Sequence, residues 1–258
     1  MDAMQLGQIH PTALISTGAS VARDVTVGPF AVVHDGVALG QGSIVGSHCV
    51  LGEPLQAFYT GGTEPLPTEI GAGAILRSHS VIYQGVSIGT GFRSGHRVTI
   101  REGSTIGDDV QVGTLSDLQG QLTIGHHARL HSSVFVAQLS VIEEFVWLFP
   151  RVVLANDPHP PSDTCTQGPR IGRFAVVAAN SVIMPGIDVG EHALVGAMSL
   201  VTRNVDPETV VMGVPAKPRG SVRDVRCQHG ELDAVYPWPT QFRRGYPAGA
   251  LPDSDSYS

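Results

Sequence analysis

Aliphatic side chains recur every six residues through most of this chain. They occupy one phase across positions 9–51, a second across 70–154 and a third across 171–201. Every position of these three runs is aliphatic except Ser94. A period of six fits neither the 3.6-residue repeat of an amphipathic helix nor the two-residue alternation of an exposed strand.

The repeat predicts short strands joined by tight corners, with one aliphatic side chain per step pointing inward. Glycine directly follows many inward residues, as at Gly107, Gly113 and Gly125, and glycine suits corners that need a positive φ or a close backbone approach. A single repeat cannot bury its apolar face, but stacked coils form one continuous core. We therefore predict an all-β solenoid.

Two segments interrupt the six-residue phase. The steps from Leu51 to Ile70 and from Leu154 to Ile171 span 19 and 17 residues, and neither is a multiple of six. We expect loops 52–69 and 155–170 to leave the rod, and loops on a rigid scaffold often carry recognition residues.

The repeat ends near residue 217, which divides the chain into two predicted parts. Residues 1–217 form the solenoid domain, and residues 218–258 form a C-terminal extension rich in proline and aromatic residues. We expect the extension to be a partly ordered cap, packed on the rod or on a neighbouring subunit. A frayed tail follows it.

Composition excludes some classes of function. The formal charge is −7, from 16 Lys+Arg against 23 Asp+Glu, which argues against nucleic-acid or membrane partners. No apolar run is long enough to span a bilayer, and the start lacks the character of a secretory signal. Three scattered cysteines fit reduced thiols without zinc spacing. The predicted location is the cytoplasm.

The repeated phrases of an aliphatic residue and glycine resemble the hexapeptide-repeat family over roughly residues 9–217. The resemblance implies a left-handed parallel β-helix of triangular section, with three hexapeptides in each coil. The hand comes from the resemblance, because ordinary parallel crossovers are right-handed. The resemblance also implies a homotrimer with active sites between neighbouring rods. A plain scaffold without catalytic activity is the alternative.

The segment VVMGVPAKPRG at 210–220 resembles the G-x-P-A-K ending of hexapeptide acyltransferases that use acetyl-CoA. In that family the pantetheine arm lies along the last coils, and the terminal basic segment holds the CoA phosphates. The resemblance implies Lys217 as the main phosphate contact, and an ammonium group suits phosphate as a compact charge. Arg219, Arg203 and Ala197 are further predicted contacts of the cofactor.

The second loop contains VLANDPHPP at 153–161, which resembles the T-N-D-x-x-P loop of nucleotide-linked amino-sugar N-acetyltransferases. In those enzymes the asparagine meets the reacting end of the substrate. The resemblance implies a catalytic Asn156, with Asp157 and His159 in substrate binding. An asparagine amide can donate to a developing oxyanion or orient an amine. Capping of a turn before proline is the alternative role.

The phrase HRVTIREG at 96–103 resembles the central coils of the same enzymes. Related enzymes that acylate nucleotide sugars for lipid A keep a histidine where the phase places Glu102. His96, one hexapeptide earlier, is the other candidate base, and imidazole is better matched to neutral pH. We expect one subunit to supply Asn156 and another to supply the corner of His96 and Glu102.

A metal site is the competing interpretation of the histidines, because γ-class carbonic anhydrases share this fold and bind zinc through three histidines. By phase, His96 stacks on Thr114 and Ser132, and His131 stacks on Gly113 and Phe149. These rows bring no two histidines together, so we predict no metal and place His131 in substrate binding.

Together these features predict a CoA-dependent acyltransferase. The resemblance implies acetyl transfer from acetyl-CoA to the amine of a nucleotide-linked amino sugar. An O-acyltransferase or an acyl-carrier-protein-dependent transferase of the same fold is one alternative. A zinc protein like the γ-class carbonic anhydrases is another.

Overall fold

Three long sheets form the sides of a triangular prism in the computed structural model, which describes residues 7–61, 66–162, 164–240 and 245–252. Successive strands of the chain lie on successive sides, and most pair in parallel with the strand eighteen residues away. Ile82, for example, pairs with Ile100, which pairs with Leu118. The predicted left-handed β-helix is confirmed.

We number the sides in chain order as faces 1, 2 and 3. Face 1 consists of the strands Leu14–Ile15, Val32–Val33, Val50–Glu53, Val81–Tyr83, Thr99–Ile100, Asp117–Leu118, Phe135–Val136, Val153–Leu154, Val182–Ile183 and Leu200–Val201. Face 2 consists of the strands Ser20–Val21, Val37–Leu39, Thr68–Ile70, Ser87–Ile88, Thr105–Ile106, Thr123–Ile124, Val141–Ile142, Arg170–Ile171 and Asp188–Val189. Face 3 consists of the strands Thr26–Val27, Ile44–Val45, Ile75–Leu76, Arg93–Ser94, Gln111–Val112, Arg129–Leu130, Trp147–Leu148, Val176–Val177, Leu194–Val195, Thr209–Gly213 and Ala216–Ser221.

Helical structure is minor within the described ranges. It comprises an α-helical turn at Gln56–Tyr59 and two 3₁₀ turns at Val222–Asp224 and Trp238–Thr240. No helix in the part of the chain that the structure describes is long and apolar enough to cross a membrane.

The core lies along the axis of the prism. The repeating aliphatic residues point inward, and Leu51, Ile82 and Ile100 are completely buried there. Ser94, the polar exception, is buried as well. Its hydroxyl accepts a hydrogen bond from the backbone N–H of Arg77 at 2.9 Å, which gives this buried polar group a partner.

Positive-φ residues mark the three edges, where the chain turns from one face to the next. We name each edge by the faces it joins, so that edge 2–3 carries His127, Phe145, Phe174 and His192, all with φ between 57° and 61°. Their rings stack in sequence at centroid distances of 4.8, 4.8 and 4.9 Å. These four rings form a column on the outside of the prism, with one ring for each successive coil.

Both interruptions of the repeat leave the rod at edge 1–2. The first follows Val50–Glu53 and contains the helix Gln56–Tyr59, with residues 62–65 outside the described ranges. The second follows Val153–Leu154 and returns at Arg170–Ile171, with residue 163 outside them. The chain therefore leaves the rod where the phase breaks, but both loops are shorter than predicted, because Val50–Glu53, Thr68–Ile70 and Arg170–Ile171 extend into them. Five steps of face 1 separate them, or about 24 Å at the usual strand spacing.

The C-terminal extension folds back onto its own rod at face 3 and edge 2–3. The strand Ala216–Ser221 runs antiparallel to Thr209–Gly213 and crosses the predicted domain boundary at 217. Further on, Trp238 packs edge-on to Phe174 at 5.6 Å and donates its Nε1–H to the Phe174 carbonyl at 3.0 Å. The predicted frayed tail at 251–258 is wrong at its first residue, because Leu251 is buried in a cluster with Phe174 and Trp238; residues 253–258 lie outside the described residues.

We expect Phe174→Ala to lower the free energy of unfolding by about 3–5 kcal/mol, because it removes a fully buried aromatic ring. Phe30 is a matched control. It occupies another positive-φ edge position with φ 59° against 58° for Phe174, but it is 56% exposed. Phe30→Ala should cost under about 1 kcal/mol. Denaturant unfolding followed by circular dichroism measures both, and equal losses would contradict the assigned packing.

Candidate functional site

A cavity of 610 Å³ runs along face 3 beside edge 3–1. Its floor is a column of outward side chains, because the first residues of successive face 3 strands lie in register from coil to coil. We call this cavity the arginine groove and define it by Arg77, Arg93, Gln111, Arg129, Trp147, His96, Thr114 and His131.

Positive charge is concentrated in the arginine groove. Three arginines and two histidines line it, and no carboxylate does so among the described residues, although the whole chain has a formal charge of −7. Arg77 and Arg93 are exposed, and neither forms an ion pair with a carboxylate elsewhere in the described ranges. Guanidinium groups of this kind match phosphate in both charge and geometry.

Arg129 has a different role, because its side chain is buried. Its Nη2 donates to Asp109 Oδ2 at 2.6 Å and to the Gly245 carbonyl at 2.7 Å. The guanidinium also lies 4.5 Å from the centroid of the Tyr246 ring. Trp147 completes the contact by donating its Nε1–H to Tyr246 Oη at 2.6 Å. Arg129 and Trp147 therefore fasten the C-terminal extension to one end of the groove.

Two of the three histidines predicted for the site, His96 and His131, line the groove. His96 Nδ1 lies 2.8 Å from Ser78 Oγ, and if Nδ1–H donates to that hydroxyl, Nε2 is left with the lone pair that can accept a proton. His131 stacks on Phe149 at a centroid distance of 4.7 Å. Burial lowers the pKa of His131, which keeps its imidazole neutral near pH 7. Within the described ranges, no group of three metal-ligating side chains is close enough to hold an ion.

Glu102 and Asn156 lie on edge 1–2, away from the groove. Glu102 follows Thr99–Ile100, and Asn156 follows Val153–Leu154 three coils later, which is about 14 Å along the rod. The expectation that His96 and Glu102 share a corner is wrong, because six residues carry the chain round to the next edge.

The carboxylate of Glu102 is already paired. Arg101 donates from Nη2 to Oε1 at 2.8 Å and from Nε to Oε2 at 3.1 Å. A bidentate guanidinium engages both oxygens, so the Glu102 carboxylate is less available to contact a substrate than the His96 ring.

The second loop is shaped by Asp157. Its Oδ1 accepts from the backbone N–H of His159 at 3.1 Å, and its Oδ2 accepts from that of Ser162 at 2.8 Å. The carboxylate therefore organises the turn, as expected for an Asx residue before proline. Asn156 beside it is partly buried, and His159 is exposed. Contact of these residues with substrate stays a prediction.

A third feature is a cavity of 720 Å³ at the C-terminal end of the rod. Arg203 and Lys217 line it together with Asp206, so two of the predicted cofactor contacts converge. Arg219 is on the same strand as Lys217 but is not among the described lining residues, and Ala197 is on edge 3–1.

Sequence comparisons identify related proteins. Residues 9–53 match a family model described as bacterial transferase hexapeptide (six repeats). A protein of Saccharophagus degradans named acyl-[acyl-carrier-protein]–UDP-N-acetylglucosamine O-acyltransferase is 33% identical over 146 residues, covering 52% of this chain and 47% of the relative. A protein of the same name from Thiobacillus denitrificans is 28% identical over 234 residues, with coverages of 83% and 74%. The bifunctional protein GlmU of Streptococcus thermophilus is 25% identical over 194 residues, with coverages of 74% and 38%. The chain thus spans about half or less of the length of two of these three relatives.

Solved structures show the same fold. Arabidopsis UDP-N-acetylglucosamine acyltransferase superposes with a TM-score of 0.65 at 18% identity, covering 83% of this chain and 74% of that one. UDP-N-acetylglucosamine O-acyltransferase of Moraxella catarrhalis gives 0.52 at 24% identity, with the same coverages. The repeat and the parallel coils extend beyond the matched residues 9–53, and the chain has the same left-handed β-helix fold as these two acyltransferases.

Proposed function

We propose that this protein transfers an acyl group from a pantetheine thioester to a nucleotide-linked amino sugar, whose phosphates lie in the arginine groove. One observation carries the proposal. Exposed Arg77 and Arg93 line the same cavity as His96, and no described carboxylate opposes them. The groove thus offers phosphate binding and a proton acceptor side by side. The names of the relatives supply UDP-N-acetylglucosamine as the model acceptor.

The chemistry needs a base and an oxyanion donor. The acceptor oxygen or nitrogen attacks the thioester carbonyl, and its proton passes to His96 Nε2. The tetrahedral intermediate then breaks its C–S bond, and the proton returns to the departing pantetheine sulfur. Asn156 donates to the oxyanion. Since Asn156 and His96 are on different edges, we place them in one site only across two neighbouring rods of a homotrimer.

Two donors are compatible with this arrangement. The names of two relatives favour an acyl-carrier-protein thioester and a hydroxyl acceptor. Acetyl transfer from acetyl-CoA to an amine is the second candidate. It is supported by the cavity that Arg203 and Lys217, the last residue of the GVPAK segment, both line. Basic side chains there suit the CoA phosphates.

A donor–acceptor matrix tests the proposal. Acetyl-CoA and a series of acyl-carrier-protein thioesters are each offered UDP-N-acetylglucosamine or a UDP-linked amino sugar, and products are identified by mass spectrometry. An ester is cleaved by mild base and an amide survives, which separates the two candidates. If no pair gives an acylated sugar nucleotide, the proposed function is wrong.

For a CoA donor, Lys217→Ala should raise KM about tenfold, because losing one charge-assisted contact removes at least about 1.4 kcal/mol. The turnover number and the KM of the acceptor should stay unchanged. Arg219→Ala is the matched control, since it removes a cation from the same strand without touching the cavity. An unaltered donor KM in Lys217→Ala would assign Lys217 to solvent.

A further inference from the structure

Tyr246 of the C-terminal extension contacts two side chains that line the arginine groove. The Arg129 guanidinium lies 4.5 Å from the centroid of its ring, and its Oη accepts the Nε1–H of Trp147 at 2.6 Å. The carbonyl of the preceding Gly245 accepts from Arg129 Nη2 at 2.7 Å. Because both Arg129 and Trp147 line the groove, a segment about a hundred residues away in sequence holds part of its wall.

The extension and Asp109 together fix the Arg129 side chain. Its Nη atoms donate to the carbonyls of Asp109, Ala128 and Gly245 and to Asp109 Oδ2. Among the described contacts, this leaves Nε–H as the remaining donor of the guanidinium. A guanidinium held in this way presents its charge to the groove and does not first have to be ordered by a ligand.

The extension has a second anchor that lies outside the groove. Trp238 packs edge-on to Phe174 at 5.6 Å and donates its Nε1–H to the Phe174 carbonyl at 3.0 Å, and it is not among the described residues lining the groove. Leu251 is buried in the same cluster. Loss of the Tyr246 contacts should therefore leave the extension on the rod, so its effect on the groove can be measured separately from folding.

We propose that Tyr246 is a positioning residue of the arginine groove: it holds Arg129 and Trp147 in the geometry that receives the phosphates of a sugar nucleotide. Occupation of the groove and docking of the extension then stabilise each other. The inference rests on the proposed function for the identity of the ligand. Without Tyr246 the ligand itself has to order both side chains, which should weaken binding about tenfold. Because coupling is reciprocal, a bound ligand should make opening of the extension rarer by a similar factor.

Calorimetric binding of UDP-N-acetylglucosamine tests the role of Tyr246 without requiring transfer. Tyr246→Ala should raise the dissociation constant about tenfold. Tyr246→Phe keeps the ring over Arg129 and loses only the acceptor for Trp147, so it should stay within about threefold of the unmodified protein. In the transfer assay, Tyr246→Ala should raise the KM of the acceptor and leave kcat and the KM of the donor unchanged, which a loss of stability alone would not produce.

Tyr236→Ala is the matched control. Tyr236 belongs to the same aromatic cluster of the extension and is partly buried, as Tyr246 is, but no described contact joins it to Arg129. Its replacement should loosen the packing of the extension and leave the dissociation constant unchanged. Equal losses of affinity in Tyr236→Ala and Tyr246→Ala would overturn the inference.

Hydrogen exchange followed by mass spectrometry tests the reciprocal effect. Saturating UDP-N-acetylglucosamine should slow exchange about tenfold in the peptide that contains Tyr246. Arg93→Gln removes a proposed phosphate contact and should abolish this slowing.

Failure of this inference is separable from failure of the proposed function. Unchanged exchange at saturation, full affinity in Tyr246→Ala, or no binding by the unmodified protein overturns the inference. Transfer observed together with unchanged exchange overturns the inference alone. Slowed exchange with no transfer in the donor–acceptor matrix supports the role of Tyr246 and overturns the proposed function.

Discussion

Replacing His96 with glutamine should lower kcat by about 10²–10⁴-fold, the usual contribution of a general base. His96 is the better of the two predicted bases because its ring is oriented by Ser78 and lines the groove, whereas Glu102 is bound by Arg101. Glutamine keeps hydrogen-bonding capacity but cannot take up the proton. Steady-state formation of acylated sugar nucleotide measures the loss, and the KM of the acceptor should change little.

His79→Gln is the control for this substitution. His79 occupies the same edge 3–1 one coil earlier, stacks on His48 at 4.9 Å and is not among the described residues lining the groove. Its replacement should leave kcat unchanged. If His96→Gln keeps full turnover, the acceptor loses its proton elsewhere. Glu102→Gln is then the next variant to assay.

The fold could be predicted from the sequence because its rule is local and repeated. Each inward aliphatic residue packs on those eighteen positions away, so Ile82, Ile100 and Leu118 stack wherever the phase holds. A break of phase therefore predicts a loop from the local sequence alone, even when no distant contact is known. The same rule placed His131 on Phe149, as the stacked rings confirm.

The arginine groove was missed for a related reason. Arg93 and Arg129 precede inward residues two coils apart, so the register does bring them to one face. Outward charged residues on a strand are usually solvated, and nothing local distinguishes these two. The pairing of Glu102 was missed because neighbours on an extended strand point to opposite sides, and only the corner turns Glu102 towards Arg101.

The docking of the C-terminal extension could not be predicted from the sequence. Its docking depends on contacts between residues about a hundred positions apart, such as Trp147 with Tyr246. No period connects those positions, so aromatic content alone left open whether the extension packs on its own rod or on a neighbour. The contact of Tyr246 with Arg129 depends on that docking, so it could not be predicted either.

Trimers that combine His96→Gln subunits with Asn156→Ala subunits should be active, although trimers of either variant alone should be almost inactive. A single rod puts His96 on edge 3–1 and Asn156 on edge 1–2, so the proposed site needs one residue from each of two neighbours. Asn156→Ala alone should cost about 10²–10³-fold in kcat, and His96→Gln alone is expected to be at least as damaging. Co-expression of the two variants in one cell allows their subunits to assemble together.

When the two variants assemble at random, about one site in four over all trimers joins an intact His96 to an intact Asn156 across the interface. Co-expressed variants should therefore show about a quarter of normal turnover, against almost none for either variant alone or for the two purified trimers mixed without subunit exchange. Two differently tagged copies allow trimers with both variants to be purified, and these should show about a third of normal turnover, because one of their three sites is complete. Activity at the level of the parents would mean that each site takes both residues from the same rod or does not use one of them. Activity at the level of the parents would therefore exclude a site shared between neighbouring rods, since only such a site can be completed by subunits that are each defective in a different residue.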